Sequence, residues 1–191
     1  MKRAIVLIVA LTISLSGWAR HHTSHELDLN APTGTVSLNA ATATVAFSPH
    51  GQGEQLIVNS IGHASHQILV QAYGFSNKAI LKALVDAKTR GVDVQVILDK
   101  SNDKGRYSGA TFMTNAHIPV WIDYTVSIAH NKVMVLDGTS VITGSYNFTE
   151  AAQNLNAENV LFLEHVPELA SIYAKDWQWR LGKSRPYPSS H

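Results

Sequence analysis

Residues 67–98, QILVQAYGFSNKAILKALVDAKTRGVDVQVIL, contain two apolar strands separated by one amphipathic helix. Apolar residues recur at helical spacing over Ile80–Ala87, whereas the basic residues lie mainly outside that stripe. Ser76 is expected to cap the helix, and Gly91 to end it. Val92–Leu98 is a nearly continuous apolar run, which is typical of a buried parallel strand. This stretch therefore predicts a β-α-β unit within a sheet that helices cover.

The rest of the chain continues this pattern of short strands and helices. Strands cluster in its second half, where Asp137-Gly138 is a turn signal that predicts a hairpin. We expect an α/β protein with a mixed, largely parallel β-sheet flanked by helices on both faces. The further strands are predicted at Thr44–Phe47, Val120–Ile122, Val133–Leu136, Ser140–Thr143 and Asn159–Leu163, and the further helices at Glu54–Ile61, at Ala110–Asn115 and from Pro167 onward.

Composition limits the functions that the chain can have. A hydrophobic fraction of 45% with 15% charged residues is typical of a globular protein and excludes a disordered one. Cysteine is absent, which excludes disulfides, zinc-thiolate sites and a cysteine nucleophile. The formal charge of +1 is low for a nucleic-acid binder, so any phosphate site has to be local.

The first 19 residues have the pattern of a secretory signal peptide. A short basic start precedes residues 4–17, which carry no charge, and small residues at Gly17 and Ala19 mark a cleavage site. The alternative is an uncleaved membrane anchor, but this uncharged run is shorter than the roughly 20 residues that span a bilayer. We therefore expect a protein that is exported, periplasmic or secreted, with no membrane span after cleavage.

The remaining residues are expected to form one domain with short extensions. Residues 20–42 lack a hydrophobic period and are predicted to be a flexible leader. Regular patterning covers residues 43–184, which are predicted to be the domain, and residues 185–191 form a tail. The leader contains three histidines that form a metal-binding tract or belong to the flexible arm; they are His21, His22 and His25.

Residues 128–148, IAHNKVMVLDGTSVITGSYNF, differ from the rest of the chain. If a strand begins at His130, alternation places His130 and Lys132 on one face. Ser145 and Asn147, at the end of the next strand, share a face as well. Both pairs can meet in one pocket that offers a nucleophile, a fixed cation and two neutral hydrogen-bonding groups, which suits a phosphate group. An isolated His-x-Lys pair is often only solvated surface, so the argument depends on the whole pattern.

This segment resembles the HKD signature of the phospholipase D superfamily. The residues that carry the resemblance are His130, Lys132, Asp137, Gly144, Ser145 and Asn147. The length, the export signal and the single copy of the motif resemble the small bacterial EDTA-resistant endonucleases of that superfamily. The resemblance covers about residues 43–181 and implies a phospholipase D-like αβα sandwich. Three shorter stretches are also similar to the family's sequence, namely Tyr73-Gly74-Phe75-Ser76, Arg90-Gly91-Val92 and Leu98-Asp99.

The resemblance implies a role for each residue of the signature. His130 would attack phosphorus to form a phosphohistidine, and the same histidine of a second copy would protonate the leaving oxygen. Lys132 would hold the non-bridging oxygens, where charge develops. Ser145 and Asn147 would add hydrogen bonds to those oxygens or to the frame of the site.

Two acidic residues complete the resemblance. Asp137 belongs to the catalytic signature, but its position in a turn suits backbone hydrogen bonding. Glu158 resembles the family's acidic partner of the active-site histidine, which would fix the tautomer and support the imidazolium. The alternative for Glu158 is an exposed glutamate at a strand edge. The family mechanism uses no metal and no cofactor, so none is expected here.

The single motif predicts how the chain assembles. In an in-line displacement, nucleophile and general acid must face each other across the phosphate. The chain contains no second His-x-Lys pair besides His130 and Lys132. We therefore predict a homodimer whose active site is shared across a two-fold axis.

Other polar residues outside the motif allow two interpretations each. His63 and His66 are a metal pair or structural and solvated residues, and the absence of a carboxylate at ligand spacing favours the second. His50, His117 and His165 each stand alone and are expected to have no catalytic role. Three basic residues after the strand that ends at Asp99 either line a nucleic-acid groove or solubilise a loop; they are Lys100, Lys104 and Arg106.

These observations predict an exported, metal-independent phosphodiesterase, and the leading interpretation is a non-specific endonuclease that cleaves DNA, with RNA left open. One alternative is a phospholipase D-type lipid phosphodiesterase, which would require an acyl-chain site or a membrane anchor. The other is a catalytically silent binding protein on the same fold. The intact set of His130, Lys132 and Asn147 argues against a silent protein.

Overall fold

The computed structural model describes residues 34–103, 105 and 108–188. The predicted signal peptide and most of the predicted leader lie outside these residues. Five residues that the sequence singled out also lie outside them, namely His21, His22, His25, Lys104 and Arg106.

The described residues form eight strands and five α-helices. The strands are β1 (Thr42–Ser48), β2 (Gln67–Ala72), β3 (Asp93–Asp99), β4 (Val120–Asp123), β5 (Lys132–Leu136), β6 (Ser140–Gly144), β7 (Glu158–Glu164) and β8 (Arg185–Pro186). The helices are α1 (Gly53–His63), α2 (Lys78–Thr89), α3 (Gly109–Asn115), α4 (Glu150–Asn154) and α5 (Pro167–Leu181), and a 3-10 turn covers Lys100–Asn102. In the ranges described, none of the helices has the combined length and apolarity that a bilayer-spanning helix needs. Two short elements, α4 and β8, were not predicted from the sequence.

All eight strands join one sheet in the order β1-β7-β6-β5-β2-β3-β4-β8. This mixed sheet with flanking helices confirms the predicted α/β class. The expectation of a largely parallel sheet is wrong, because only the β2–β3 and β3–β4 pairings are parallel and the other five are antiparallel. A tight turn such as Asp137-Gly138 can join only antiparallel neighbours, whereas a helical crossover is needed for parallel ones. This one tight turn accounts for the β5–β6 pair, and the other four antiparallel pairs follow from longer paths of the chain around the sheet.

Helices cover both faces of the sheet. On one face α1, α2 and α3 bury apolar side chains such as Ile57 and Leu84, both 0% exposed. On the other face α5 buries Trp177, which is 1% exposed. The Trp177 indole N–H donates to the carbonyl oxygen of Val70 at 3.0 Å, which fixes α5 across the middle of the sheet. The two faces are apolar because alternate residues of each central strand point to opposite sides.

One edge of the sheet brings together the residues of the HKD signature other than Asp137. The parallel strands β2, β3 and β4 end at this edge, and we call it the carboxyl edge. Because β5 is antiparallel to β2, it begins there, with Lys132 opposite Ala72. Because β6 is antiparallel to β5, and β7 to β6, β6 ends at this edge with Gly144 and β7 begins there with Glu158. The segments before β5 and after β6 therefore meet at the carboxyl edge.

The start of α2 corrects one sequence prediction. Asn77, not Ser76, caps the helix, since its Oδ1 accepts the backbone N–H of Ile80 at 3.0 Å. The Asn77 amide also donates to Glu54 at 2.6 Å, so the cap is tied to α1. The backbone N–H of Ser76 donates instead to the carbonyl of Phe148 at 2.8 Å. That bond joins the segment after β2 to the segment after β6.

Candidate active site

His130 and Lys132 form a contacting pair at the carboxyl edge. His130 is exposed just before β5, and Lys132, the first residue of β5, is 7% exposed. The Lys132 Nζ lies 2.9 Å from His130 Nδ1 and donates to the His130 carbonyl oxygen at 2.7 Å. The His130 imidazole is therefore exposed to solvent, and the buried ammonium group of Lys132 lies beside it.

Tyr73 is a member of this site that sequence reasoning missed. It follows β2, and its ring centroid lies 4.7 Å from that of His130. The Lys132 Nζ lies 5.4 Å from the centroid of the same ring, within range of a cation–π interaction. The Tyr73 N–H also donates to the Asn131 carbonyl at 3.0 Å. Two features of the sequence could have indicated Tyr73. It follows an apolar strand, and it lies in a stretch that resembles the phospholipase D superfamily.

Asp99 holds the loop that leads into His130. This carboxylate, 2% exposed, accepts the backbone N–H of Ala129 at 2.7 Å and that of Ser101 at 2.8 Å. Burial alone would raise the pKa of the Asp99 carboxyl, but the hydrogen bonds from Ser101 and Ala129, together with the Lys100 charge, outweigh burial and lower it. Asp99 therefore stays ionised and fixes the backbone one residue before His130.

Ser145 and Glu158 lie beside each other at the carboxyl edge. The Ser145 hydroxyl donates to Glu158 at 2.6 Å and accepts the backbone N–H of Asn159 at 3.1 Å. Glu158 also accepts from Asn156 at 3.1 Å. The structure thus pairs Glu158 with Ser145, whereas the hydrogen-bond partner of His130 Nδ1 is Lys132.

Asn147 lies against the segment that follows β2. A Cβ placed on Gly74 would come within 3.3 Å of the Asn147 Cβ, so glycine at position 74 permits this close approach. The next residue, Phe148, donates its N–H to the Gly74 carbonyl at 3.1 Å. The Asn147 Oδ1 is buried, and the described residues offer it no hydrogen-bond partner. Asn147 therefore lies against Gly74, the residue that follows Tyr73 in the sequence.

The charge of Lys132 depends on two opposing effects. Burial lowers the pKa of the Lys132 ammonium below its usual value, and the negative charge of Glu158 raises it. Glu158 is therefore suited to keep Lys132 protonated, which the role of a fixed cation requires.

This dependence predicts the pH profile of a Glu158→Gln variant. Glutamine keeps the size of the side chain but removes the charge that raises the pKa of Lys132, so the alkaline limb of kcat/KM should move to lower pH. Glu164→Gln, at the other end of β7, is the matched control and should leave the profile unchanged. An unchanged alkaline limb with a shifted acidic limb would instead support the histidine-partner role that the family resemblance implies for Glu158.

Asp137 does not lie with the other residues of the signature. It follows β5 at the end opposite Lys132, roughly 17 Å away at about 3.4 Å per strand residue. Its carboxylate accepts the backbone N–H groups of Ser65, His66 and Gln67 at 2.9, 2.8 and 2.9 Å. This geometry supports the backbone hydrogen-bonding role that the turn position of Asp137 predicts. The Asp137 side chain ties the turn after β5 to the start of β2.

These bonds predict a stability effect for Asp137→Asn, since asparagine tolerates the positive φ of 52° at this position but loses the charge. We expect a loss of about 1–3 kcal/mol in the free energy of unfolding. Burial alone would raise the pKa of the Asp137 carboxyl, but its hydrogen bonds outweigh burial and lower it below 3.8. The stabilisation is therefore complete above about pH 4 and is lost as the pH falls through the lower pKa of the folded state. Urea unfolding at pH 7 and at acidic pH tests this, and equal losses at both would contradict it.

The other histidines that the structure describes lie away from this site. His63 Nδ1 lies 2.7 Å from the Asn59 carbonyl in α1, and the backbone N–H of His66 donates to Asp137. His50, His117 and His165 each have a positive φ and occupy turns. In the part of the chain that the structure describes, no three His, Asp or Glu residues are grouped as a metal site would need.

Comparison with known proteins places the chain in a family. The family model described as "Cardiolipin synthase, PLD-like domain" matches residues 57–180, a range that includes Tyr73, His130, Lys132 and Glu158. A phospholipase D of Rickettsia conorii is 43% identical over 140 residues, which are 73% of this chain and 70% of that protein. The mitochondrial cardiolipin hydrolase of Xenopus laevis is 30% identical over 124 residues, 65% of this chain and 58% of that one.

Solved structures agree with this assignment. Nuc from Salmonella typhimurium, a phospholipase D family member, superposes with a TM-score of 0.75 at 38% identity, covering 78% of this chain and 99% of Nuc. NucT from Helicobacter pylori gives a TM-score of 0.70 at 19% identity, covering 77% and 99%, and supports the fold alone. The chain belongs to the phospholipase D superfamily, through its PLD-like domain. It is a phosphodiester hydrolase of that superfamily.

Proposed function

We propose that this protein is an exported nuclease that cleaves DNA without a metal ion, through a phosphohistidine on His130. RNA is left open as an alternative substrate. The observation that carries the proposal is the pair of His130 and Lys132, in which an exposed imidazole lies 2.9 Å from a buried ammonium. This pair offers a nucleophile and a fixed positive charge at the same phosphate. The resemblance to the small single-motif bacterial endonucleases supports nucleic acid as the substrate.

The proposed reaction has two displacements at phosphorus. In the first, His130 Nε2 forms a bond to phosphorus while the bond to the leaving oxygen breaks, and the histidine of the second copy gives that oxygen a proton. In the second, this histidine takes a proton from water, whose oxygen attacks phosphorus and breaks the bond to His130. Lys132 holds the non-bridging oxygens in both steps, and the side-chain amide of Asn147 donates a further hydrogen bond to them, whereas Ser145, whose hydroxyl donates to Glu158, acts on the frame of the site.

The contact between Lys132 and His130 bears on which nitrogen carries the proton. A charged Lys132 donates to Nδ1, so the imidazole in this arrangement is neutral and has its proton on Nε2, whereas the general acid has to be an imidazolium with a proton on both nitrogens. The attacking histidine needs the lone pair on Nε2 instead. We propose that Lys132 moves to the phosphate oxygens when substrate binds, which frees Nδ1 to carry the proton.

We propose a homodimer because one chain supplies one such histidine. Exposed apolar residues at the carboxyl edge support an interface there. Ile128, two residues before His130, is 52% exposed, and Leu155, in the loop before β7, is 78% exposed. A contiguous exposed apolar patch marks a surface that a partner covers, and we propose that Ile128 and Leu155 belong to such a patch. A second copy at this edge would also supply the facing histidine.

A lipid phosphodiesterase is the second candidate function. The names of two relatives, phospholipase D and mitochondrial cardiolipin hydrolase, favour it. Purified protein incubated with plasmid DNA, RNA and phospholipid vesicles in excess EDTA separates the two. We expect nucleic acid to be degraded and lipid to survive. Turnover of lipid alone would favour the second candidate, and no turnover of any substrate would favour a silent binding protein.

Resistance to chelation is a separate prediction. Because Lys132 supplies the positive charge that a metal ion would otherwise supply, the cleavage rate should be the same within about twofold with and without excess EDTA. Initial rates on a labelled oligonucleotide before and after dialysis against EDTA measure this. A rate that disappears on dialysis and returns only with a divalent metal would remove the phosphohistidine mechanism.

Export is proposed from residues 1–19 alone. Sequencing the N-terminus of the protein recovered outside the cytoplasm tests it. The expected mature protein begins at Arg20, and recovery of the intact N-terminus in the membrane fraction would indicate a retained anchor instead.

A further inference from the structure

A groove opens at the carboxyl edge beside His130. Its volume is about 480 Å³, within the range of pockets that hold small ligands. The walls come from the end of β2, the turn after β3 and the loop between β4 and β5, and the lining residues are Tyr73, Asp99, Lys100, Ser101, Asp103, Tyr124, Ser127 and Ile128. Tyr73 is one of these residues, and its ring contacts His130, with 4.7 Å between the ring centroids. A group bound in this groove therefore lies next to the reacting phosphate.

The lining favours a planar polar ring over an acyl chain. Ile128 is the one aliphatic side chain among the residues that line the groove, whereas two are tyrosines and the others are polar or charged. An acyl chain is bound by several aliphatic side chains, and Ile128 alone does not supply them. A nucleobase has a π-face that stacks on aromatic side chains and polar edges that hydroxyl and ammonium groups can bind.

Tyr124 is held in place and is still 40% exposed. Its hydroxyl donates to the Asp103 carboxylate, and the guanidinium carbon of Arg185 lies 5.5 Å from its ring centroid. The hydrogen bond to Asp103, followed by burial, raises the pKa of Tyr124 to about 12, so the phenol stays neutral at physiological pH. A fixed aromatic ring loses little entropy when a base stacks on it.

The lining carries two carboxylates and one ammonium group, so it suits the neutral base of a nucleotide and not its phosphate. The Asp99 carboxylate is occupied by backbone N–H groups, and Asp103 is occupied by Tyr124. Lys100 donates one hydrogen bond to the Val126 carbonyl at 3.1 Å and brings an ammonium charge to the wall of the groove.

We infer that this groove binds one nucleobase of the substrate, next to the phosphate that is cleaved, by stacking the base on Tyr124. This inference depends on the proposed nuclease function and names the part of the substrate, other than phosphate, that the protein recognises. Tyr124 is thus a specificity-determining residue that separates nucleic acid from other phosphodiesters.

The test compares two single strands that differ only in their bases. One is a short DNA oligonucleotide, and the other is a chain of the same length built from tetrahydrofuran abasic units. We expect Tyr124→Ala to lower kcat/KM on DNA about 10-fold to 100-fold and to leave the abasic chain unaffected. Tyr124→Phe keeps the ring and should stay within about threefold of the wild type on both chains. Phe112→Ala removes an aromatic side chain that is 49% exposed on α3 and does not line the groove, so it should change neither rate.

Three other outcomes would contradict the inference. An equal loss on both chains would overturn the inference, because Tyr124 would then act through folding, dimerisation or the phosphate. No loss on DNA would overturn it as well, while the nuclease function would stand. If the wild type cleaves neither chain but hydrolyses phospholipid vesicles, the proposed function fails, and the base-binding inference fails with it.

Discussion

His130→Asn and His130→Ala should each reduce phosphodiester cleavage by at least about a thousandfold, with the fold intact. In the proposed mechanism the same residue attacks phosphorus in one copy and protonates the leaving oxygen in the other, so one substitution removes both functions. Initial rates on a labelled oligonucleotide measure the loss, and circular dichroism checks the fold.

A matched control for this variant is His66→Asn. His66 is an exposed histidine at the opposite end of the sheet, where its backbone N–H bonds to Asp137, and its variant should keep full activity. Lys132→Ala should also be severe, since it removes the cation at the phosphate. Activity within about tenfold of the wild type for either His130 variant would place the active site elsewhere.

Mixed dimers should be nearly inactive. If the two copies share one site, a dimer with one His130→Asn chain has a nucleophile or a general acid but not both. Two affinity tags, one on each kind of chain, allow the mixed dimer to be purified and assayed against both parent dimers. We expect little or no activity, whereas independent sites would give half the activity of the wild-type dimer.

The total activity of a mixture of both kinds of chain is a second measure of the shared site. Random exchange between equal amounts of both chains leaves about one quarter of the dimers fully wild type, so activity should fall to about a quarter of that of the same total amount of wild-type dimer. A fully active monomer by sedimentation at the assay concentration would contradict the shared site. A Leu155→Glu variant that becomes monomeric and inactive would support an interface at the carboxyl edge.

The sequence predicted the elements of the fold better than their arrangement. Periodicity placed each long helix and strand to within a few residues, because the apolar side chains of β2, α2 and β3 are the ones that the core buries. The direction of neighbouring strands was harder to predict. Five of the seven pairings are antiparallel, and they follow from turns and chain paths that local periodicity does not report.

The candidate site was predicted where it is local in the sequence. His130 and Lys132 are two residues apart, and alternation along one strand is enough to place them side by side. Tyr73 and Asp99 were missed because their contacts reach Asn131 and Ala129, which are distant in the sequence. Ser76 and Asn77 are both good caps, and the choice depends on the bond from Asn77 to Glu54 in another helix.

The most direct test of the central claim is to trap the covalent intermediate. Purified protein is mixed with an oligonucleotide labelled at its phosphates in excess EDTA, quenched in alkaline denaturant during turnover, and digested for mass spectrometry. We predict a phosphoryl-linked adduct on the peptide that contains His130, which is lost on brief acid treatment and is absent from the His130→Asn protein. Cleavage of the oligonucleotide with no adduct, or an adduct on another residue that persists in His130→Asn, would contradict the proposed mechanism.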